Sequence, residues 1–257
     1  MAKIISTNPS KNYEVIGEVE VASEKEIIDK VKKAREATEF WSELTVKERC
    51  VYLEKVYQKF DERREEMGKL IATEMGMPIS VIDAMEVGSG LEYFKWYLEN
   101  SEQSLAPDVT HEDETQKHTV YYEPMGVAAV IAPWNFPFSN FIWAAIPNLV
   151  AGNTVIFKHS EECPLFGKMI EEIFEQAKFP DGVFSEIYGD GKVGDFLVHQ
   201  DIDLISFTGS TKVGQHLYQV AAEKFIPDRL ELVASAPGIV VEDVNLDKDI
   251  ESSYFNR

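Results

Sequence analysis

Two short, β-branched and nearly charge-free runs, residues 127–132 and a second ending at Lys158, flank an apolar stretch of helical length that opens at Pro137. Runs of this kind belong to strands covered on both faces, and the separation between them suits a helical crossover, so the pattern predicts a βαβ unit. The alternation continues downstream. A helix is predicted over 164–178, with Leu165, Ile170, Ile173 and Phe174 on one face, then a strand over 183–188 and a short helix over 193–199. A strand follows over 204–207, a helix through 223, and strands over 229–232 and 238–241. Strands alternating with helices imply an α/β fold with a doubly wound, mostly parallel, Rossmann-like sheet. The units show no sequence repeat.

Upstream the period changes. Residues 1–22 read as a hairpin turning at 8–12. Ser23 with Glu26 is a capping box, and Ile27, Ile28, Val31, Ala34, Ala37 and Trp41 then recur at helical spacing. Thr45 with Glu48 opens a longer helix, closed by Gly76, in which Cys50 reads as a small buried hydrophobe. Pro78 starts a third helix to about residue 100, whose Tyr93, Phe94, Trp96 and Tyr97 form a packing face. The chain thus divides into a helical layer (23–100), a polar arm (about 101–124) and a nucleotide-binding sheet (125–257). The arm's acidic run, His111-Glu112-Asp113-Glu114, and a strand over 119–122 fit either an exposed loop or one side of a hairpin that pairs with another subunit. His111 and His118, on an irregular segment, read as solvated residues and not as metal ligands.

Composition narrows the partners. At 257 residues and 44% apolar content the chain can bury a sizeable core. A formal charge of −20 argues against gripping a nucleic acid backbone. Cys50 and Cys163 make no disulfide framework and have no metal-ligand spacing, so no metal is expected and a reducing cytoplasm suits the chain. The amino terminus lacks a signal-peptide pattern, and no run approaches a membrane span.

The polar residues of interest cluster at predicted strand ends. Asn135 follows the first core strand, Lys158 ends the second, and Glu161 stands three residues on. In open parallel sheets ligands lie off these carboxyl ends. Lys158 there is either snorkelling to water or holding hydroxyls or phosphate, and Glu161 is placed to accept from a ribose. Gly209-Ser210, where a strand feeds a helix, could receive a pyrophosphate, although such a turn needs glycine for steric reasons alone. The run 189–194 has the G-x-G-x-x-G spacing, but its Asp190 would repel phosphate. Glu231, in an apolar strand, is either on the solvent face, as alternation favours, or a pocketed base.

The ordered set Tyr122-Glu123-Pro124-Met125-Gly126-Val127, Pro133-Trp134-Asn135-Phe136-Pro137, Gly152-Asn153-Thr154-Val155 with Lys158, residues 207–214, and Leu230-Glu231-Leu232 resembles the amino-terminal half of the aldehyde dehydrogenase superfamily. Lys158-His159-Ser160 and Ser235-Ala236-Pro237 look most like the branch acting on succinate semialdehyde and related small aldehydes. The resemblance implies that Asn135 donates to the oxyanion of the tetrahedral intermediate, that Glu231 activates the deacylating water, and that Lys158 and Glu161 hold the adenosine ribose. It further implies that Gly209 and Ser210 meet the pyrophosphate, that Trp134 lines the nicotinamide end, and that the arm is an oligomerisation hairpin. Glu161 should repel a 2′-phosphate, which favours NAD over NADP.

Two departures stand out. The family's nucleophilic cysteine lies some distance beyond the general base, past Arg257, so the catalytic cysteine domain is expected to be absent from residues 1–257 and the chain alone inactive. Activity would then require a separate carboxy-terminal polypeptide, and the rival expectation is an inactive nucleotide-binding remnant or interaction protein. The family also has two glycines after the glutamate; Val233 and Ala234 stand there. Branched Val233 is expected to crowd the nicotinamide side.

Overall fold

In the computed structural model, which describes residues 2–233, a five-stranded parallel sheet runs in the spatial order β7-β6-β5-β8-β9. Its strands are β5 (Val127–Ile131), β6 (Thr154–Lys158), β7 (Phe184–Ile187), β8 (Leu204–Gly209) and β9 (Asp228–Leu232). The crossovers are α6 (Pro137–Ala151), α7 (Pro164–Gln176), α8 (Gly191–Val198) and α9 (Thr211–Lys224). The chain winds outward from β5 through β6 to β7, then returns to the other side of β5 for β8 and β9, so strand order reverses between β5 and β8. The strand expected over 238–241 lies outside the described residues, as do Ala234 and Ser235-Ala236-Pro237.

Strand alternation sorts the sheet's side chains into two cores. Ala128, Val130, Val155 and Phe157 join the larger one beneath α6 and α7, whereas Val127, Ala129, Ile156, Ile205 and Phe207 join the smaller one with residues of α8, α9 and the helix over Glu24–Glu43. Both faces are covered, which is why the strands read as charge-free runs.

Preceding the sheet are the hairpin β1 (Lys3–Asn8) and β2 (Glu14–Glu20) and the helices α1 (Glu24–Glu43), α2 (Val46–Glu62), α3 (Arg64–Met75), α4 (Ile79–Ile82) and α5 (Gly88–Ser104). The single helix expected from Thr45 to Gly76 is two. Arg63 leaves helical geometry (φ −101°, ψ 13°), while its guanidinium binds Glu66 and reaches Glu172 of α7. The helix expected from Pro78 is interrupted by a π turn over Asp83–Val87 and runs on to Ser104. Of its aromatics Phe94 is buried but Tyr93 and Trp96 are about half exposed, so the aromatic run is not one packing face. Cys50 is half-buried against the larger core, not fully buried. Ser23 caps the Glu26 amide, but the Glu26 carboxylate turns to Lys30 at 2.9 Å, leaving half of the predicted box; Thr45 and Glu48 complete theirs.

The arm is an antiparallel hairpin, β3 (Asp108–Glu112) with β4 (Lys117–Val120), exposed along almost its whole length. At its base Gly126 has φ +128°, and a Cβ there would fall 2.1 Å from Asp203 Oδ2, the atom that accepts the Val127 amide. Only glycine allows this approach.

The central helix α6 is buried at all but three of its 15 positions and is held at both ends from the helical layer. At its start Pro137 supplies no N–H, and Glu86 in the π turn accepts the amides of Phe138 (2.6 Å) and Ser139 (3.2 Å) and the Ser139 hydroxyl (2.6 Å). At its end Arg49 Nε donates to Val150 O (2.8 Å) and Trp41 Nε1 to Leu149 O (2.9 Å). A carboxylate at the amino end and a guanidinium at the carboxyl end both complement the helix dipole. Glu74 does the same for α7, accepting from Leu165 N and Phe166 N.

Burial raises the Glu86 carboxyl to about 6 in spite of these donors. A group whose folded pKa lies above its unfolded value stabilises the fold below the unfolded pKa and loses that contribution as pH rises through the folded one. Glu86→Gln, which keeps an acceptor for the two amides, is therefore expected to gain stability relative to the parent chain between pH 4.5 and 6. The gain should reach about 2 kcal/mol above that range, and denaturant unfolding at stepped pH measures it; a pH-independent difference would show that the carboxyl does not titrate there.

Candidate functional site

Parallel register aligns the carboxyl ends of four strands along one edge. Ile131 pairs with Lys158 on one side and with Phe207 on the other, and Thr208 pairs with Glu231. Lys158, Gly209 and Glu231 thus stand on that edge, with Asn135 just beyond β5 and Ser210 just beyond β8, on either side of the strand-order reversal where such sheets open a crevice.

Lys158 is buried, its stem against the α8 turn where a Cβ on Gly194 would come 3.3 Å from Lys158 Cδ. Its ammonium donates to His159 O (3.0 Å) and Glu161 Oε2 (3.4 Å), which leaves one of its three N–H groups for another acceptor. Desolvation lowers its pKa, opposed by the Glu161 charge. Snorkelling is thereby excluded in favour of a held ammonium. Glu161 remains partly exposed and shares a depression with Glu162, Tyr13 and Trp134. Trp134 therefore lies on the Lys158 side of the edge.

The two glycine turns differ in what occupies their helix starts. Asp190 caps α8 by accepting the Lys192 amide at 2.9 Å, so a carboxylate already fills the anion position there. Ser210 caps α9, accepting from Val213 N at 3.4 Å, and its hydroxyl proton is free to donate outward. Gly209 admits no side chain, since a Cβ would meet the Phe207 ring at 2.5 Å. Of the two turns, Gly209-Ser210 is the one fitted to a phosphate.

Asn135 is held through its neighbour: Asn140, in the first turn of α6, donates from Nδ2 to Asn135 Oδ1 at 3.4 Å. With its oxygen engaged, the Asn135 amide is set to present its NH2 group. Asn140 in turn lines a groove between α6 and the β8–β9 strands with Trp143, Ser206, Thr208, Arg229 and Glu231. Glu231 is exposed there, as strand alternation favoured, and its carboxylate lies 3.6 Å from the Arg229 guanidinium. The sequence-derived residues thus fall into two neighbouring groups: Trp134, Lys158 and Glu161 towards β6, and Asn135 and Glu231 on the α6 side, with Gly209 and Ser210 beyond β8. Val233 is exposed and donates its amide to Gly209 O (3.3 Å), tying β9 to the Gly209-Ser210 turn.

Neither thiol is placed to attack a substrate. Cys163 is fully buried and its pKa is pushed well up by desolvation, and Cys50 sits on α2 with its pKa also raised by burial. Among the described residues no group of three or more His, Cys, Asp or Glu could hold a metal ion, and no helix is long and apolar enough to cross a membrane.

Sequence reading missed the groups behind the edge. His159 Nδ1 lies 3.0 Å from Glu186 Oε1, both residues fully buried; burial lowers the imidazole to about 4 and raises the carboxyl well above its usual range. Glu74 and Glu86 were missed as well, because a buried glutamate on a helix leaves no local signature. Asn140 carried a weak signal, being a polar residue in an otherwise apolar helix.

A model of the aldehyde dehydrogenase family matches residues 2–257. Betaine aldehyde dehydrogenase of Vibrio vulnificus is 32% identical over 253 residues, covering 96% of this chain and 50% of the relative. An NAD+ complex of aldehyde dehydrogenase from Bacillus cereus superposes with a TM-score of 0.92 at 30% identity, covering 98% of this chain and 52% of that one. An E. coli NADP-dependent enzyme superposes with a TM-score of 0.91 at 29% identity, covering 98% and 52%. The chain spans about half the length of the curated relatives it matches. With the match running along nearly its whole length, the chain belongs to the aldehyde dehydrogenase family.

Proposed function

We propose that this chain forms the nucleotide-binding part of an NAD-dependent enzyme that oxidises a small aldehyde, succinate semialdehyde foremost, to its acid. The observation that carries the reading is a strand edge bearing a held ammonium, a phosphate-fitted glycine turn, an oriented amide and a carboxylate, on both sides of the point where strand order reverses.

Lys158 and Glu161 take the adenosine ribose hydroxyls, Gly209 and Ser210 receive the pyrophosphate, and Trp134 borders the bound nucleotide. The family likeness to an NAD+ complex supports this assignment, and Glu161 disfavours a 2′-phosphate. NAD, when bound, supplies the hydride acceptor. Asn135 donates to the substrate's carbonyl oxygen as charge develops on it, and Glu231 takes the proton of the water that releases the acid. The attacking thiolate comes from protein other than residues 2–233, since Cys50 and Cys163 are both unsuited. The exposed arm pairs with a second copy of the chain, and the two unpaired thiols suit a reducing cytoplasm. A second reading, a nucleotide-binding protein without catalysis, is favoured by Val233, a branched residue where the family has glycine.

Calorimetry is expected to show NAD binding at least about tenfold tighter than NADP, with Glu161→Gln narrowing the gap. Absence of heat with either nucleotide, in protein shown to be folded, would remove the nucleotide-binding reading. Aldehyde oxidation is expected only on mixing with a cysteine-bearing carboxy-terminal half; nucleotide binding without any activity in that mixture selects the second reading.

A buried ammonium kept for a ligand should be costly to the free protein. Lys158→Met is expected to stabilise the nucleotide-free chain by roughly 1 kcal/mol or more while lowering NAD affinity at least about tenfold. A destabilised variant with unchanged affinity would assign Lys158 to the fold instead.

A further inference from the structure

The groove between α6 and the β8–β9 strands contains chemistry that the proton-taking role of Glu231 does not use. It has a volume of about 350 Å³ and is lined by Asn140, Trp143, Ser206, Thr208, Arg229 and Glu231. Arg229 is the one cation among these, in a chain of formal charge −20. It precedes Glu231 by two residues on the same face of β9, so both side chains enter the groove. Its guanidinium lies 3.6 Å from the Glu231 carboxylate, too far for a hydrogen bond, so its fork of N–H donors is open to a better acceptor. Around it stand the hydroxyls of Ser206 and Thr208 and the amide of Asn140, which also holds Asn135.

Resting on the aldehyde-oxidising reading above, we propose that Arg229 is the specificity-determining residue of this groove. It takes the distal carboxylate of a short aldehyde acid, while the aldehyde end lies against Asn135 and Glu231. Arg matches a planar carboxylate bidentately, with geometry a single point charge cannot give. The guanidinium and the Glu231 carboxylate lie 3.6 Å apart, a separation that the carbon skeleton of a short aldehyde acid of about four carbons spans from end to end. The same guanidinium disfavours a cationic aldehyde, so this chain selects differently from a relative named for betaine aldehyde. The rival account is a charged side chain that merely keeps the β9 edge from pairing.

Trp143 lines the groove and Trp134 lies beside Glu161, so 5-fluorotryptophan labelling gives each region its own fluorine resonance. The chain would be titrated with succinate semialdehyde, butyraldehyde and betaine aldehyde, then with NAD, for the parent protein, Arg229→Gln and Arg229→Lys. The expected result is that succinate semialdehyde shifts Trp143 at least about tenfold lower in concentration than either other aldehyde. Arg229→Gln should abolish that preference and Arg229→Lys restore part of it. Equal affinities for the three aldehydes in the parent chain, or a preference that survives Arg229→Gln, would overturn the assignment. NAD titration of Trp134 separates the two failures: if NAD binds and the preference is absent, only the role of Arg229 falls, whereas loss of NAD binding in the parent chain removes the reading it rests on.

Discussion

The fold depends on how α6 is held. This helix is apolar on nearly every side, and a helix buried that completely cannot satisfy its end amides and carbonyls with water. Residues far away in sequence do so instead. Glu86 serves the amino end from the π turn, and Arg49 of α2 with Trp41 of α1 serves the carboxyl end. Both charged groups oppose the helix dipole, so the desolvation each suffers is partly offset where it sits. One consequence is structural: the amino-terminal helices and the sheet become a single cooperative unit. Another concerns the site, because Asn135 immediately precedes this helix and Asn140 is in its first turn. The Asn135 amide is thereby anchored to a helix that is almost wholly buried and held at both ends.

Sheet topology then determines which polar groups can meet. Strand order reverses between β5 and β8, so the helices after them, α6 and α9, pack on opposite faces, with Asn135 and Ser210 on either side of the reversal. Lys158 reaches the same edge from β6 and Glu231 from β9, through register alone. Alternation adds a second level of sorting. Lys158 projects to the face of Ile131 and α8, while Glu231 and Arg229 project to the face of α6. The polar groups of this one edge are therefore divided between opposite faces of the sheet.

Most of the sheet was legible because its signals are local: charge-free runs of strand length, helix-length spacers, and Gly209-Ser210 at a strand end. The family motifs also singled out Asn135, Lys158, Glu161 and Glu231, which the structure places at the carboxyl ends of the strands or just beyond them. What escaped were features whose cause is distant. The break at Arg63 has no proline or glycine to announce it, and the π turn at Asp83–Val87 occurs inside an unremarkable helical pattern. Glu86 meets its partners some fifty residues later, and Glu74 meets Leu165 ninety-one residues later. On a helical wheel both look like ordinary surface acids. The exposure of Tyr93 and Trp96 was missed for the converse reason, since aromatic content does not say which face of a helix is covered.

The end of β6 shows why the buried polar groups belong to one design. Lys158 and His159 are adjacent, so the pleat sends the ammonium towards α8 and the imidazole towards α7 and Phe166. Two neighbouring cations in so dry a place would repel each other, and the nucleotide edge would then carry a charge that changes with mild acid. Burial settles the matter: desolvation, opposed by the Glu74 charge and aided by that of Lys158, holds the imidazole at about 4, so His159 is neutral across the physiological range. Glu186 accepts from the His159 amide and touches its ring, and desolvation raises its own pKa well above the usual carboxyl range. A neutral imidazole therefore stands on the α7 side of the strand end, and the only charge that β6 delivers to the edge is the Lys158 ammonium. Two of its three N–H groups are engaged by His159 O and Glu161, so the ammonium keeps one donor and the partly exposed Glu161 beside it keeps acceptor capacity at the same strand end.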